Sequence, residues 1–181
     1  QPDDWHVHIR EGEMMETVIG YSSRINHRCI IMPNLEVPVT NSKLALEYLN
    51  KIQSLTKDQA FLPLLPCYLT DNLDLKDFKL ALQKKIFFGA KLYPNNTTTN
   101  SSYGISDIEK NYPTFELLQT LKKPLLIHGE KVREDINIFD REKIFIDEEL
   151  IFIRKKFPEL KIILEHVSSK YGADFVNDNE N

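Results

Sequence analysis

The sequence predicts an α/β fold in which parallel strands alternate with helices, and three observations lead there. Six short apolar or β-branched runs, Trp5–Ile9, Cys29–Met32, Phe61–Leu69, Phe87–Leu92, Leu125–His128 and Ile162–Glu165, recur at roughly the spacing of a βα unit. Stretches with helical periodicity lie between them. Polar, chemically capable residues stand where those runs end. Alternation of this kind describes a parallel sheet covered by helices.

The helical stretches carry their own signals. Ala45, Tyr48, Leu49, Ile52 and Leu55 follow i, i+3, i+4, i+7 spacing, with Thr40 or Asn41 placed to cap the start. Ile144, Phe145, Glu148, Ile151, Phe152 and Lys155 repeat the pattern until Phe157-Pro158 ends it. Pro94 to Gly104 is a long polar loop rich in Asn, Thr and Ser, a candidate lid. Periodicity alone fits either a doubly wound sheet or six of the eight units of a (β/α)8 barrel. The strand ends favour the barrel. Its chemistry sits on the C-terminal rim and comes from several strands at once, and neither GxGxxG nor GxxxxGK[ST] marks a nucleotide switch point.

Composition narrows the function classes. With 41% hydrophobic and 28% charged residues over 181 positions, the chain reads as one domain, residues 1–181, with a sizeable core. A net charge of -4 gives no footprint for nucleic acid. Cys29 and Cys67 sit in apolar runs without CxxC spacing, against a disulfide framework and a thiolate zinc site. The most apolar stretch is short and broken by Pro63 and Pro66, so no membrane span is expected and a cytoplasmic location fits. The sequence opens on Gln1-Pro2-Asp3-Asp4 without an initiator methionine, and truncation at both ends is the expectation.

Four of the five histidines fall at strand ends. His6 and His8, two apart on a strand, face one side and can share a metal ion; HxH alone fits a solvent-facing edge strand equally well. His128 and His166 each close an apolar run, where a single histidine would more often be a hydrogen-bonded core residue. His27 belongs near the end of the first helix and receives no catalytic role. Lys91 ends Phe87-Phe88-Gly89-Ala90-Lys91-Leu92, where a buried unpaired ammonium is costly. Neighbouring cations would depress its pKa, and a neutral amine can take up carbon dioxide to form a carbamate able to bridge two metals. The bland alternative is a lysine that snorkels to solvent. A site of His6, His8, carbamylated Lys91, His128 and His166 would hold two metals, and a water bridging two Lewis acids becomes hydroxide near neutral pH. Arg10 can grip a carboxylate bidentately.

Asp4-Trp5-His6-Val7-His8-Ile9-Arg10, Met32-Pro33-Asn34, Cys67-Tyr68-Leu69-Thr70-Asp71, Ala90-Lys91-Leu92-Tyr93-Pro94, Thr97 to Ser102, Ile127-His128-Gly129-Glu130, Asp135 to Glu142 and Glu165-His166-Val167 stand in order along the chain. Together they resemble the signature segments of bacterial-type (class II) dihydroorotases, of the amidohydrolase superfamily. The resemblance implies a metal-dependent hydrolase of the (β/α)8 type that interconverts N-carbamoyl-L-aspartate and L-dihydroorotate in pyrimidine synthesis. It implies two zinc ions, one on His6 and His8 and one on His128 and His166, bridged by N6-carboxylated Lys91. Lys91, His128 and His166 are then the catalytic candidates. Arg10, Asn34, His128, Thr98 and Thr99 are the substrate-binding ones, the threonines in a loop that closes over the substrate. The partners expected are a small-molecule substrate and, at full length, a second copy in a homodimer.

The family also has a metal-ligand aspartate at the end of its eighth strand and a substrate-binding histidine shortly after it. A chain stopping at Asn179-Glu180-Asn181, in what reads as the loop after the helix following the sixth strand, is expected to lack both. Asp140, Asp174 and Asp178 stand at the wrong positions to replace that aspartate. Two competing readings are a hydantoinase- or allantoinase-type cyclic amidase, which shares HxH and the bridging lysine, and a non-catalytic scaffold that keeps the barrel. Arg10, Asn34 and the threonine loop argue against the first, and the full set of covered ligands against the second.

Overall fold

Strand β1 (Asp3–Val7) opens the chain and pairs in parallel with β2 (Arg28–Ile31) after helix α1 (Gly12–Ile25). The structure is a computed structural model that describes residues 1–56 and 60–179; Glu180 and Asn181, named above at the end of the chain, lie outside the described residues. The chain divides into two compact units, Gln1–Tyr68 with Asn72–Gly89, and Leu69–Asp71 with Ala90–Asn181.

In the first unit, helix α2 (Ser42–Leu55) leads from β2 to β3 (Leu62–Leu64), and the sheet runs β1-β2-β3 with every pairing parallel. Asn41 supplies the cap of α2 by accepting the Leu44 N–H (3.0 Å), and Ala45, Tyr48 and Ile52 form its buried face. Leu55 emerges into solvent at the last turn. The apolar run Phe61–Leu69 is not one strand. It divides into β3 and β4 (Cys67–Tyr68) because Pro66, without an N–H, cannot continue a ladder. Asp74 caps α3 (Leu75–Gln83) by accepting the Lys76 and Asp77 N–H groups, and the Asp77 carboxylate accepts the Ser42 N–H at 2.8 Å, tying α3 to the start of α2. Phe87, Phe88 and Gly89 lie outside any strand; Phe87 is wholly buried.

In the second unit β5 (Ala90–Leu92), β6 (Leu125–Ile127) and β7 (Ile162–Leu164) pair in parallel in that order. Every residue of β5 and β6 is buried, as strands covered on both faces must be. Helix α4 (Tyr112–Thr120), with Pro113 in its first turn, leads to β6. Between β6 and β7 the chain forms α5 (Arg141–Phe145), a π-helical turn Ile146–Leu150 and α6 (Ile151–Lys156). That turn rotates the helix out of the face its periodicity predicts. The buried positions are Glu142, Phe145, Ile146, Leu150 and Ile153, whereas Ile151 and Phe152 face solvent, because a π turn inserts an extra residue into the helical repeat. Helix α7 (Lys170–Asp178) follows β7.

The fold is therefore α/β with parallel sheets in each unit. Among the described residues no helix is long and apolar enough to cross a membrane. Both cysteines are free and buried, and burial pushes the Cys29 thiol up to about 11 and the Cys67 thiol well above its ordinary value, so neither is poised as a thiolate.

Candidate functional site

In the first unit the register between β1 and β2 slips between Asp4 and Val7, leaving an extra residue on β1 at the position of Trp5 and His6. A bulge of this kind re-aims side chains. The Asp4 carboxylate fixes it by accepting the His6 N–H (3.0 Å). His8 stands just beyond the strand, and the two Nε2 atoms meet at 3.3 Å. Two imidazoles on one tetrahedral zinc, with Zn–N of about 2.0–2.1 Å, hold their nitrogens about 3.3 Å apart. Strand alternation predicts the shared face; the bulge and the strand end produce it.

Arg10 leaves the extended conformation altogether, with φ at 62°, a left-handed backbone that is uncommon away from glycine. The Tyr48 hydroxyl donates to the Arg10 carbonyl (2.9 Å), and Arg10 Nη1 donates to the Asn34 carbonyl oxygen (2.9 Å). Arg10 and buried Asn34 thus come together, through the Asn34 main chain, in the turn where the Leu35 and Val39 N–H groups both reach the Pro33 carbonyl. His27 is exposed beyond α1, its main chain bonded to Pro2 and Leu62.

The second unit gathers Lys91, His128 and His166. Lys91 is fully buried at the centre of β5, and its ammonium pairs with the Glu165 carboxylate. The Tyr93 ring lies 4.8 Å from Nζ. Burial pushes the Lys91 pKa down, opposed by Glu165, which shifts Lys91 toward the neutral amine, the form that can add to carbon dioxide. His128 and Glu165 continue the strand ladders by one bond each, His128 N–H to Leu92 O (3.0 Å) and Glu165 N–H to Ile127 O (3.1 Å). His166 then turns left-handed (φ 39°), which brings its Nε2 to 3.0 Å from His128 Nδ1. His128 Nε2 also lies 3.6 Å from the Glu130 carboxylate.

Thr98 and Thr99 are exposed on a loop that is knotted by its own hydrogen bonds. Ser101, itself buried, donates from its hydroxyl to the Thr98 carbonyl (2.6 Å) and accepts the Thr98 N–H (2.9 Å). The foot of the loop is closed by Ile105 N–H to Tyr93 O and Asn95 N–H to Ile105 O. Asp71 holds it from outside, accepting the Ser106 N–H (3.1 Å) and lying 3.6 Å from Lys110.

A curated dihydroorotase from Yersinia pseudotuberculosis serotype I (strain IP32953) is 48% identical over 177 residues, 97% of this chain and 51% of that protein. One from Serratia proteamaculans (strain 568) is 44% identical over 179 residues, 98% of this chain and 51% of its own length. The chain is a dihydroorotase homologue. It spans about half the length of the curated relatives it matches. The crystal structure of dihydroorotase from Campylobacter jejuni superposes on this homologue with a TM-score of 0.90 at 37% identity, covering 100% of this chain and 52% of the other. Dihydroorotase from Saccharomyces cerevisiae, solved with 5-fluoroorotic acid, gives 0.88 at 33%, covering 98% and 50%. L-hydantoinase from Arthrobacter aurescens shares the fold alone, with a TM-score of 0.75 at 15% identity over 98% of this chain and 44% of its own. No family model matches the chain.

Two acidic residues of this dihydroorotase homologue escape a reading of the sequence. Glu165 is the partner of Lys91, and the signal for it was a second ionisable residue beside His166 at the end of an apolar strand. Glu142 is buried under the turn that follows His166. Among the described residues no three His, Cys, Asp or Glu side chains form a metal cluster. The donor set nevertheless fits a metal in pairs: two histidine pairs at ligand spacing and a buried lysine whose carbamate would be the further anionic donor.

Proposed function

We propose that the protein is a zinc-dependent dihydroorotase that closes N-carbamoyl-L-aspartate to L-dihydroorotate and reopens it, built on a (β/α)8 barrel and working in the cytoplasm as a homodimer. The observation that carries this reading is the pairing of ring nitrogens, His6 with His8 at 3.3 Å and His128 with His166 at 3.0 Å, in a chain 44–48% identical to curated dihydroorotases.

His6 and His8 are the proposed ligands of one zinc ion, His128 and His166 of a second, and N6-carboxylated Lys91 the ligand common to both. When bound, the ions supply Lewis acidity toward the amide carbonyl and lower the pKa of water. The chain's own residues do the rest. Lys91, once carboxylated, would keep one N–H on its nitrogen that can donate to Glu165, while the metal ions would supply the positive charge that the ammonium gives up. Arg10 holds the substrate carboxylate through charge-assisted hydrogen bonds, with the Asn34 carbonyl orienting its guanidinium. Asn34 and His128 add polar contacts to the substrate. The Thr98 and Thr99 hydroxyls close over it and exclude water, carried by a loop whose internal bonds let it move as one piece.

The test is ring opening of L-dihydroorotate and closure of N-carbamoyl-L-aspartate by the protein at its natural length with zinc supplied, beside hydantoin and allantoin. Turnover confined to the dihydroorotate pair supports the proposal. Preference for hydantoin or allantoin would replace it with a different cyclic amidase, and inactivity toward all of them with no bound metal would make the protein a scaffold.

A further inference from the structure

Glu142 lies in the segment Asp135 to Glu142, which the chemistry above leaves without a role. Its carboxylate is buried and receives four hydrogen bonds from two consecutive residues beyond β7. Oε2 accepts the Ser168 N–H (3.0 Å) and the Ser168 hydroxyl (3.4 Å); Oε1 accepts the Ser169 N–H (3.0 Å) and the Ser169 hydroxyl. Bonds to an ionised acceptor are about twice as strong as neutral ones.

Capping α7 does not account for this arrangement, since the Ser169 hydroxyl already accepts the Gly172 N–H (2.9 Å). What Glu142 grips is the main chain immediately after His166. His166 holds φ at 39°, a conformation that a non-glycine residue keeps only where its surroundings over-determine it. On one side the Glu165 N–H is fixed on Ile127 O, and on the other Ser168 and Ser169 are fixed on Glu142. Gly172 completes the fit, because a Cβ there would stand 2.3 Å from Glu142 Oε1.

We infer that Glu142 is a positioning residue for His166, holding the turn that keeps the His166 imidazole against His128 in ligand geometry. The inference rests on the reading of His166 as a zinc ligand. Supports of a metal ligand are worth roughly ten- to a hundredfold in metal affinity. Glutamine at 142 keeps the shape but replaces one acceptor oxygen with an N–H2 group facing one backbone N–H donor and one serine hydroxyl.

The experiment uses E142Q, G172A and H166A in the protein at its natural length. Zinc affinity is measured by chelator competition, cobalt-substituted protein is examined by visible absorption, and kcat and KM are recorded. In E142Q one of two zinc ions should bind about tenfold or more weakly, the cobalt spectrum should change, and kcat should fall with KM unchanged. G172A, which presses on the carboxylate without removing it, should give the same selective weakening to a smaller degree, and it carries the test if E142Q does not fold. Parent-like zinc affinity and cobalt spectra in either folded variant, with only a loss of stability in the metal-free protein, would overturn the inference. H166A separates the two failures: if it retains both zinc ions, the ligand assignment falls first and the role of Glu142 with it.

Discussion

Replacing Lys91 by methionine should cost far more stability than its size suggests. The side chains of Lys91 and Glu165 are 0% and 4% exposed, so K91M leaves a carboxylate with neither its cation nor water. Breaking a buried pair from one side costs about 3–5 kcal/mol, whereas replacing both partners with apolar groups of similar volume is often neutral. The Tyr93 ring, 4.8 Å from Nζ, attracts cations and offers no positive charge to Glu165. The reasoning therefore predicts that K91M and E165M each lose about 3–5 kcal/mol and that the K91M/E165M double variant stays within about 1 kcal/mol of the parent. Urea unfolding of metal-free protein, read from the transition midpoints at constant slope, measures all three. A K91M variant as stable as the parent, or a double variant whose loss is the sum of the singles, would show that the two side chains are not a coupled buried pair.

Arg10→Met should lower kcat/KM for N-carbamoyl-L-aspartate while leaving the zinc content untouched, because a charge-assisted contact left unpaired costs roughly 2–5 kcal/mol; an unchanged kcat/KM would remove Arg10 from the site. Gly104→Ala should destabilise the protein by roughly 1–3 kcal/mol and loosen the threonine loop, since the new Cβ would meet the Tyr93 carbonyl oxygen at 2.4 Å and that of Ser101 at 2.9 Å, both main chain. Unfolding midpoints and loop proteolysis check it, and a parent-like result in both would mean that the loop packs less tightly than these contacts require.

How much of this was legible in the sequence depends on the range of the interaction. The His6–His8 pair was readable because its geometry is local, although the bulge that re-aims it was not: nothing in Asp4-Trp5-His6 announces an extra residue in the ladder. Lys91 announced its own burial through the apolar residues around it. Its partner Glu165 lies 74 residues away and becomes a neighbour only when β5, β6 and β7 align. The cap of α2 was narrowed by sequence to Thr40 or Asn41, of which Asn41 supplies it, but the buried face of the helices after β6 did not follow from periodicity, because the π turn at Ile146–Leu150 changes the repeat within a continuous helical segment. Arg10 illustrates a third limit. Its residue type suggested anion binding, yet its approach to Asn34 depends on a left-handed backbone held by the Tyr48 hydroxyl, a contact between β1's end and α2.

The central claim, that Lys91 in carboxylated form joins two histidine pairs into one zinc-dependent site, is tested most directly by metal analysis of the protein at its natural length with and without that lysine. The account predicts two zinc ions per chain in the parent and loss of both zinc and dihydroorotate turnover in Lys91→Ala, with short carboxylic acids restoring part of the activity by standing in for the carbamate. Two retained zinc ions and near-parent rates in Lys91→Ala would contradict it.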